Sequence, residues 1–150
     1  MTDPLRKLRP GKRGWARRCA AQALYEWQMT GQDPNRIAAQ FLADEDLRKA
    51  DPDYFRELVQ QVPARAAEID TALEPFLDRP LAQVDPVERA ILRIGGYELT
   101  QRPDIAYRIV INEAVELAKV FGAEQGHRFV NGVLDKLARA VRPVEFGAQS

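Results

Sequence analysis

Residues 110–139 read VINEAVELAKVFGAEQGHRFVNGVLDKLAR, and this stretch decides the fold. Ile111, Ala114, Val115, Ala118 and Phe121 recur at helical spacing and make one apolar stripe. Gly122 follows, where a helix C-cap favours a residue that tolerates positive φ. After a short turn comes a second stripe, Val130, Val133, Leu134, Leu137 and Val141. Phe129 lies about 80–100° off the middle of that stripe, at about 100° per residue, and Arg128 lies nearly opposite it. An arginine, an aromatic and an amide, Asn131, are therefore left at the start of a helix. Two readings of Phe129 are open at this point. It packs under the N-terminus of the chain, or it stacks on an RNA base.

Working outward, the 150 residues fit one domain that buries roughly 68–70% of its unfolded surface. Cys19 is the single cysteine, so no internal disulfide framework exists and a reducing compartment is expected. No apolar run approaches the ~20 residues of a membrane span, and no apolar segment follows the basic N-terminus as in a secretory signal. The expected location is the cytoplasm, with no membrane partner. The formal net charge is zero, but it is unevenly spread. Residues 1–18 carry Arg6, Lys7, Arg9, Lys12, Arg13, Arg17 and Arg18 against Asp3 alone, and the rest of the chain is acidic. A basic arm on an acidic body is either a solvated tail or a contact for an anionic partner.

Residues 1–13 are expected to be an unfolded arm, because prolines, a glycine and basic residues dominate them. The first helix spans 14–30. Ala16, Ala20, Ala23, Leu24 and Trp27 fall on its inner face, Arg18, Gln22, Tyr25 and Met29 on the opposite side, and Arg17 on the flank. A cation, an amide and an aromatic are residue types that RNA-binding surfaces use. Asp33-Pro34, Asp51-Pro52 and Asp85-Pro86 each place an N-cap aspartate before a proline at the first helical position, and Glu88 completes a capping-box pattern with Asp85. The helices they open are 34–43, 52–62 and 86–100. Pro63 is expected to break or kink the second, with helix continuing over 64–78. Gly95-Gly96 inside 86–100 costs about 1 kcal/mol per glycine in propensity, which a close helix crossing would offset. Pro143 stops the last helix, and 143–150 is expected to be a loose tail. The result is an all-α domain over 14–142, about seven helices in two packed halves with a seam at 78–85.

The residues assemble no catalytic constellation. His127 is the only histidine and Cys19 the only thiol, so nucleophile–histidine designs and cysteine–histidine zinc sites lack their parts. Gly95-Gly96 lacks the lysine of a phosphate loop. Glu113 and Glu116 at i, i+3 read as a solvated face. No enzyme, metal or cofactor is expected.

Five blocks carry a resemblance. They are Arg17-x-x-Ala20-x-Gln22-x-Leu24-Tyr25, Tyr54-Phe55-Arg56-Glu57-Leu58, Val87-Glu88-x-Ala90-Ile91-Leu92-Arg93-Ile94-x-x-Tyr97-Glu98-Leu99, Ile111-Asn112-Glu113-Ala114-Val115-Glu116-Leu117-Ala118-Lys119 and Phe129-Val130-Asn131-Gly132-Val133-Leu134-Asp135-Lys136. In this order and spacing, spread over most of the chain, they resemble the NusB family of bacterial transcription antitermination factors. The resemblance implies an all-helical fold and binding to single-stranded boxA RNA of ribosomal RNA leader transcripts. It also implies a heterodimer with NusE, a small-subunit ribosomal protein, within the RNA polymerase antitermination complex. Carried onto this chain, the RNA face would comprise Lys12, Arg13, Arg17, Arg18, Gln22, Arg128, Phe129 and Asn131, and the NusE contact Tyr25, Val84 and Glu88. Some members form homodimers through the RNA face. Arg18 stands where the family often has a glutamate, Gly14 and Trp15 interrupt the arginine run, and Gly95-Gly96 replaces bulkier residues. Two alternatives come from other classes. One is an RNA-binding domain of the kind fused to RNA cytosine methyltransferases, and the other is a protein–protein adaptor with a basic arm.

Overall fold

Three aspartates start three helices. Asp33 accepts a hydrogen bond from the backbone N–H of Asn35, Asp51 from Asp53 and Tyr54, and Asp85 from Val87 and Glu88, each with proline next in the chain. The caps satisfy N–H groups that the first helical turn cannot. The structure, a computed structural model, describes residues 11–44, 47, 49–122 and 125–147. Among the described residues there are seven α-helices: α1 Lys12–Thr30, α2 Pro34–Leu42, α3 Pro52–Ala64, α4 Ala66–Leu73, α5 Pro86–Gln101, α6 Tyr107–Phe121 and α7 Gly126–Val141. No strand occurs among the described residues.

α5 lies at the centre, in contact with α1, α3, α4, α6 and α7, and α4 packs chiefly on α5. Ala90, Ile91, Leu92 and Ile94 through Leu99 are all buried, so this helix has almost no solvent face. Its glycines make that possible. A β-carbon on Gly95 would lie 2.6 Å from Leu134 Cδ1 on α7, and one on Gly96 would lie 3.0 Å from Ile69 Cγ2 on α4. The expected close crossing is thus real and twofold. On α1, Ala16, Ala20, Ala23 and Leu24 are fully buried, and Trp27 is half-buried beside them.

Several expectations fail locally. Lys12 and Arg13 belong to α1, not to an arm, and residues 1–10 lie outside the described residues. α3 runs through Pro63 and breaks two residues later, at Arg65. A proline near a C-terminus removes one hydrogen bond where few remain to be made. α4 stops at Leu73 and passes into a 3₁₀ turn, Glu74–Phe76. Gly122 ends α6 in extended geometry, φ −91°. Left-handed glycine caps occur instead at Gly31, φ 70°, at the end of α1, and at Gly147, φ 74°, after the last 3₁₀ turn. Val141 is exposed despite its place on the stripe. The reciprocal half of the capping box is also missing. Glu88 turns towards the start of α7, where a β-carbon on Gly126 would collide with its carboxylate.

The loose tail is corrected as far as residue 147. Pro143–Phe146 forms a 3₁₀ turn, and Phe146 stacks on Tyr107 with ring centroids 4.1 Å apart. Glu145 accepts from the backbone N–H of Tyr107 at 3.0 Å, at the first turn of α6. Buried Arg142 donates to the carbonyls of Glu98, Leu99, Arg102 and Ile105, which tightens the end of α5 against the end of α7. Residues 148–150 lie outside the described residues.

Candidate nucleic-acid interface

The basic residues of the N-terminal segment divide by whether a carboxylate already holds them. Arg17 is only 3% exposed. Its Nε donates to both oxygens of Glu98 at 3.1 and 3.0 Å, and its Nη2 lies 2.9 Å from Oε2. The Tyr54 hydroxyl donates to the same carboxylate. Burial opposes the charge on Arg17, but Glu98 outweighs it and the guanidinium pKa stands above its ordinary value. Burial, then Glu98, pushes the Tyr54 phenol far above its ordinary value, so it stays a proton donor at any physiological pH. Beside this pair, Arg102 binds Glu57 at 2.8 Å and Asp104 at 2.9 Å, and Tyr97 donates to Glu57 at 2.7 Å. Arg17, read on the helix flank and assigned to the RNA face, is thus buried. Its donors are engaged inside the protein, and a direct phosphate contact would have to break a buried pair.

Lys12, Arg13, Arg18 and Arg128 differ. None has a carboxylate within ion-pair distance among the described residues. Arg13 lies over the Tyr54 ring, 4.9 Å from its centroid, so the buried network also gives this exposed cation a platform. Arg18 lies 5.9 Å from the ring of Phe121, the last residue of α6. The outer face of α1 thereby meets the turn that leads into α7.

On the first two turns of α7, Arg128 and Asn131 are exposed and Phe129 is half-buried. Phe129 packs against the core, and the guanidinium of Arg79 lies 5.0 Å from its ring centroid. Asp78 holds Arg79 through two hydrogen bonds, 2.7 and 3.0 Å. Neither reading of Phe129 anticipated this neighbour. Arg79 comes from the connection between α4 and α5, and no periodicity in the sequence flags it.

Gln22 and Tyr25 line a groove of about 510 Å³ together with Met29, Phe41, Val87 and Phe121. Tyr25 and Met29 are exposed large side chains, as the first helix predicted. The other two residues assigned to a protein contact are not surface groups. Val84 is 2% exposed and Glu88 8%. Burial first, then Asp85, raises the Glu88 pKa, with Arg79 opposing. Val87 and Phe121, which the sequence reading did not assign, supply the accessible apolar surface between them. Among the described residues, no group of three or more His, Cys, Asp or Glu side chains could hold a metal ion. No described helix is long and apolar enough to cross a membrane.

Similar proteins share this architecture. The NusB family model matches residues 15–139. The transcription antitermination protein NusB of Nitrosococcus oceani is 55% identical over 139 residues, 93% of each chain. That of Pseudomonas entomophila is 53% identical over 146 residues, 97% of this chain and 88% of the relative. The T. maritima NusB structure superposes with a TM-score of 0.76 at 27% identity, covering 98% of this chain and 99% of that one. A crystal structure of the antitermination factors NusB and NusE in complex with dsRNA gives a TM-score of 0.70 at 28% identity, covering 85% and 96%. With the family model spanning most of the chain and relatives more than half identical, this protein is a member of the NusB family.

Proposed function

We propose that this protein is a non-catalytic, cytoplasmic antitermination factor that binds boxA RNA of ribosomal RNA leader transcripts jointly with NusE and makes RNA polymerase resistant to termination. The observation that carries this reading is the sorting of cations. Arg18 and Arg128, neither with a carboxylate partner among the described residues, flank the α6–α7 turn that also presents Phe121 and Phe129. Lys12 and Arg13 extend the positive surface to the start of α1. Uncompensated cations beside aromatic rings suit an unpaired RNA strand, in which phosphates supply affinity and exposed bases stack. Gln22 and Asn131 offer amides to base edges. Arg17 acts from beneath, by holding the first turns of α1 against α5.

NusE is assigned to the groove of Tyr25, Met29, Val87 and Phe121, while Glu88 and Val84, which are buried and do not line it, would shape the surface from beneath. Gln22 lines this groove, so a docked partner would share a wall with the RNA. That shared wall accounts for cooperative binding, a coupling typically worth about 1–3 kcal/mol.

The test is fluorescence anisotropy of a boxA-like single-stranded RNA, with and without NusE, over a salt series. Four engaged phosphates give a log–log slope near about −2.8. Tighter binding with NusE is expected. A salt-insensitive affinity, or no binding even with NusE, would overturn the assignment.

A further inference from the structure

One ring carries two cations that no described carboxylate meets within ion-pair distance. The guanidinium carbon of Arg18 lies 4.8 Å from the Trp15 ring centroid, and Lys49 Nζ lies 5.2 Å from it. Other cations stacked on rings in this protein are mostly held by acids as well: Arg17 by Glu98, Arg79 by Asp78, Arg93 by Asp70, Arg102 by Glu57 and Asp104, Arg139 by Asp135. Arg18 and Lys49 have no such partner among the described residues. Two like charges gathered on one indole repel each other, and an anion between or across them would relieve that repulsion.

The arrangement is fixed by the fold. Arg18 and Trp15 are on α1, while Lys49 sits in the connection from α2 to α3. That connection is tied to the start of α1 by a backbone hydrogen bond, Asp51 N–H to Lys12 O at 3.0 Å. The three side chains line a pocket of about 180 Å³ with Gln22, Phe41 and Asp44. This is below the ~300–1,000 Å³ of sites for small-molecule ligands, and it suits one phosphate or one base of a polymer. Gln22 also lines the neighbouring groove, and Arg18 reaches Phe121. The pocket is therefore continuous with the face described above.

We propose that Trp15, Arg18 and Lys49 form a second contact for the phosphodiester backbone of single-stranded RNA. The strand leaves Arg128 and Phe129, passes Phe121, and places successive phosphates on Arg18 and Lys49. The indole holds the two cations in position, and Asp44 keeps the strand to the cationic side of the pocket. This inference rests on the RNA-binding reading and extends its track to a lysine and a tryptophan that the reading does not use.

Trp15 supplies its own reporter. The chain has two tryptophans, so Trp27→Phe leaves Trp15 as the sole indole. In that background a boxA-like single-stranded RNA is expected to change the Trp15 emission on titration. Lys49→Gln is expected to weaken binding several-fold and to flatten the log–log salt slope by about 0.7, one phosphate fewer. It should leave the melting temperature unchanged, because Lys49 is exposed. The effect is expected with and without NusE. Suppose instead that RNA binds and Phe129→Ala weakens it, yet Lys49→Gln changes neither affinity nor slope and Trp15 emission is silent. This inference then fails while the RNA-binding reading stands. A Lys49→Gln loss seen only when NusE is present would also overturn it, in favour of a protein contact. No RNA binding by the parent protein would overturn both.

Discussion

Arg17 and Arg128 invite direct comparison. Both are arginines near the start of a helix, and both were read as RNA ligands. Arg17 is buried and paired with Glu98, and Arg128 is exposed with no acid to hold it among the described residues. Around Arg17 lies a lattice in which Glu98, Tyr54, Arg102 and Glu57 satisfy one another. Around Arg128 no described acid lies within ion-pair distance. The first region gives stability and shape, and the second leaves attraction available to a partner. What separates them is whether folding has already supplied the opposite charge.

The largest expected effect breaks this comparison if it fails to appear. Arg17→Ala leaves the Glu98 carboxylate buried without its cation and is expected to destabilise the protein by about 3–5 kcal/mol. Arg128→Ala is expected to stay within about 0.5 kcal/mol of the parent. Urea denaturation measures both. RNA affinity should rank the other way among folded variants. If Arg17→Ala unfolds no more readily than Arg128→Ala, the division into structural and free arginines is wrong.

A smaller effect sharpens the free region. Phe129→Ala removes a ring that stacks a base in the proposed interface, and base–aromatic stacking is worth about 1–3 kcal/mol per base. Anisotropy with boxA-like RNA should therefore show a loss of roughly 5- to 150-fold. Phe129→Trp keeps a ring and should retain most of the affinity. Equal losses from both variants would mean that the site needs the fit of Phe129 under Arg79, not its π-face.

The two regions also differ in how far the sequence revealed them. Helices and their starts were legible because their causes are local: an aspartate before a proline, and apolar residues three and four apart. The close crossing at Gly95-Gly96 was legible from its propensity cost. The exposure of Gln22, Tyr25 and Met29 followed from the helical wheel. Pairing over distance was not legible. Glu98 is 81 residues from Arg17, and a wheel that puts Arg17 on a flank says nothing of a carboxylate arriving from α5. Arg79 met Phe129 for the same reason unseen, through the connection between α4 and α5. Arg142 ordered the chain end by donating to four carbonyls on and beyond α5, contacts that leave no pattern in residue type.

The smallest expected effect concerns two carboxylates whose environments act in opposite directions. Arg102 hydrogen-bonds Asp104 and holds its pKa down, at about 2. A lowered folded pKa contributes stability above the ordinary carboxylate range, and that stability is lost as pH falls towards 2. Glu88 runs the other way, because burial and Asp85 raise its pKa. Its contribution is most favourable below the unfolded carboxylate pKa, about 4.3, and is lost as pH rises through the folded value. At neutral pH the charged Glu88 therefore costs stability. Glu88→Gln is expected to melt slightly higher than the parent at pH 7, with the gain shrinking as pH falls towards 4. Asp104→Asn is expected to melt slightly lower at pH 7, with that loss fading only in stronger acid. If Glu88→Gln instead melts lower at pH 7, the N-terminus of α7 stabilises the carboxylate beside Gly126 more than burial penalises it, as a helix dipole can. Glu88 would then join Arg17 among the charges that hold the fold.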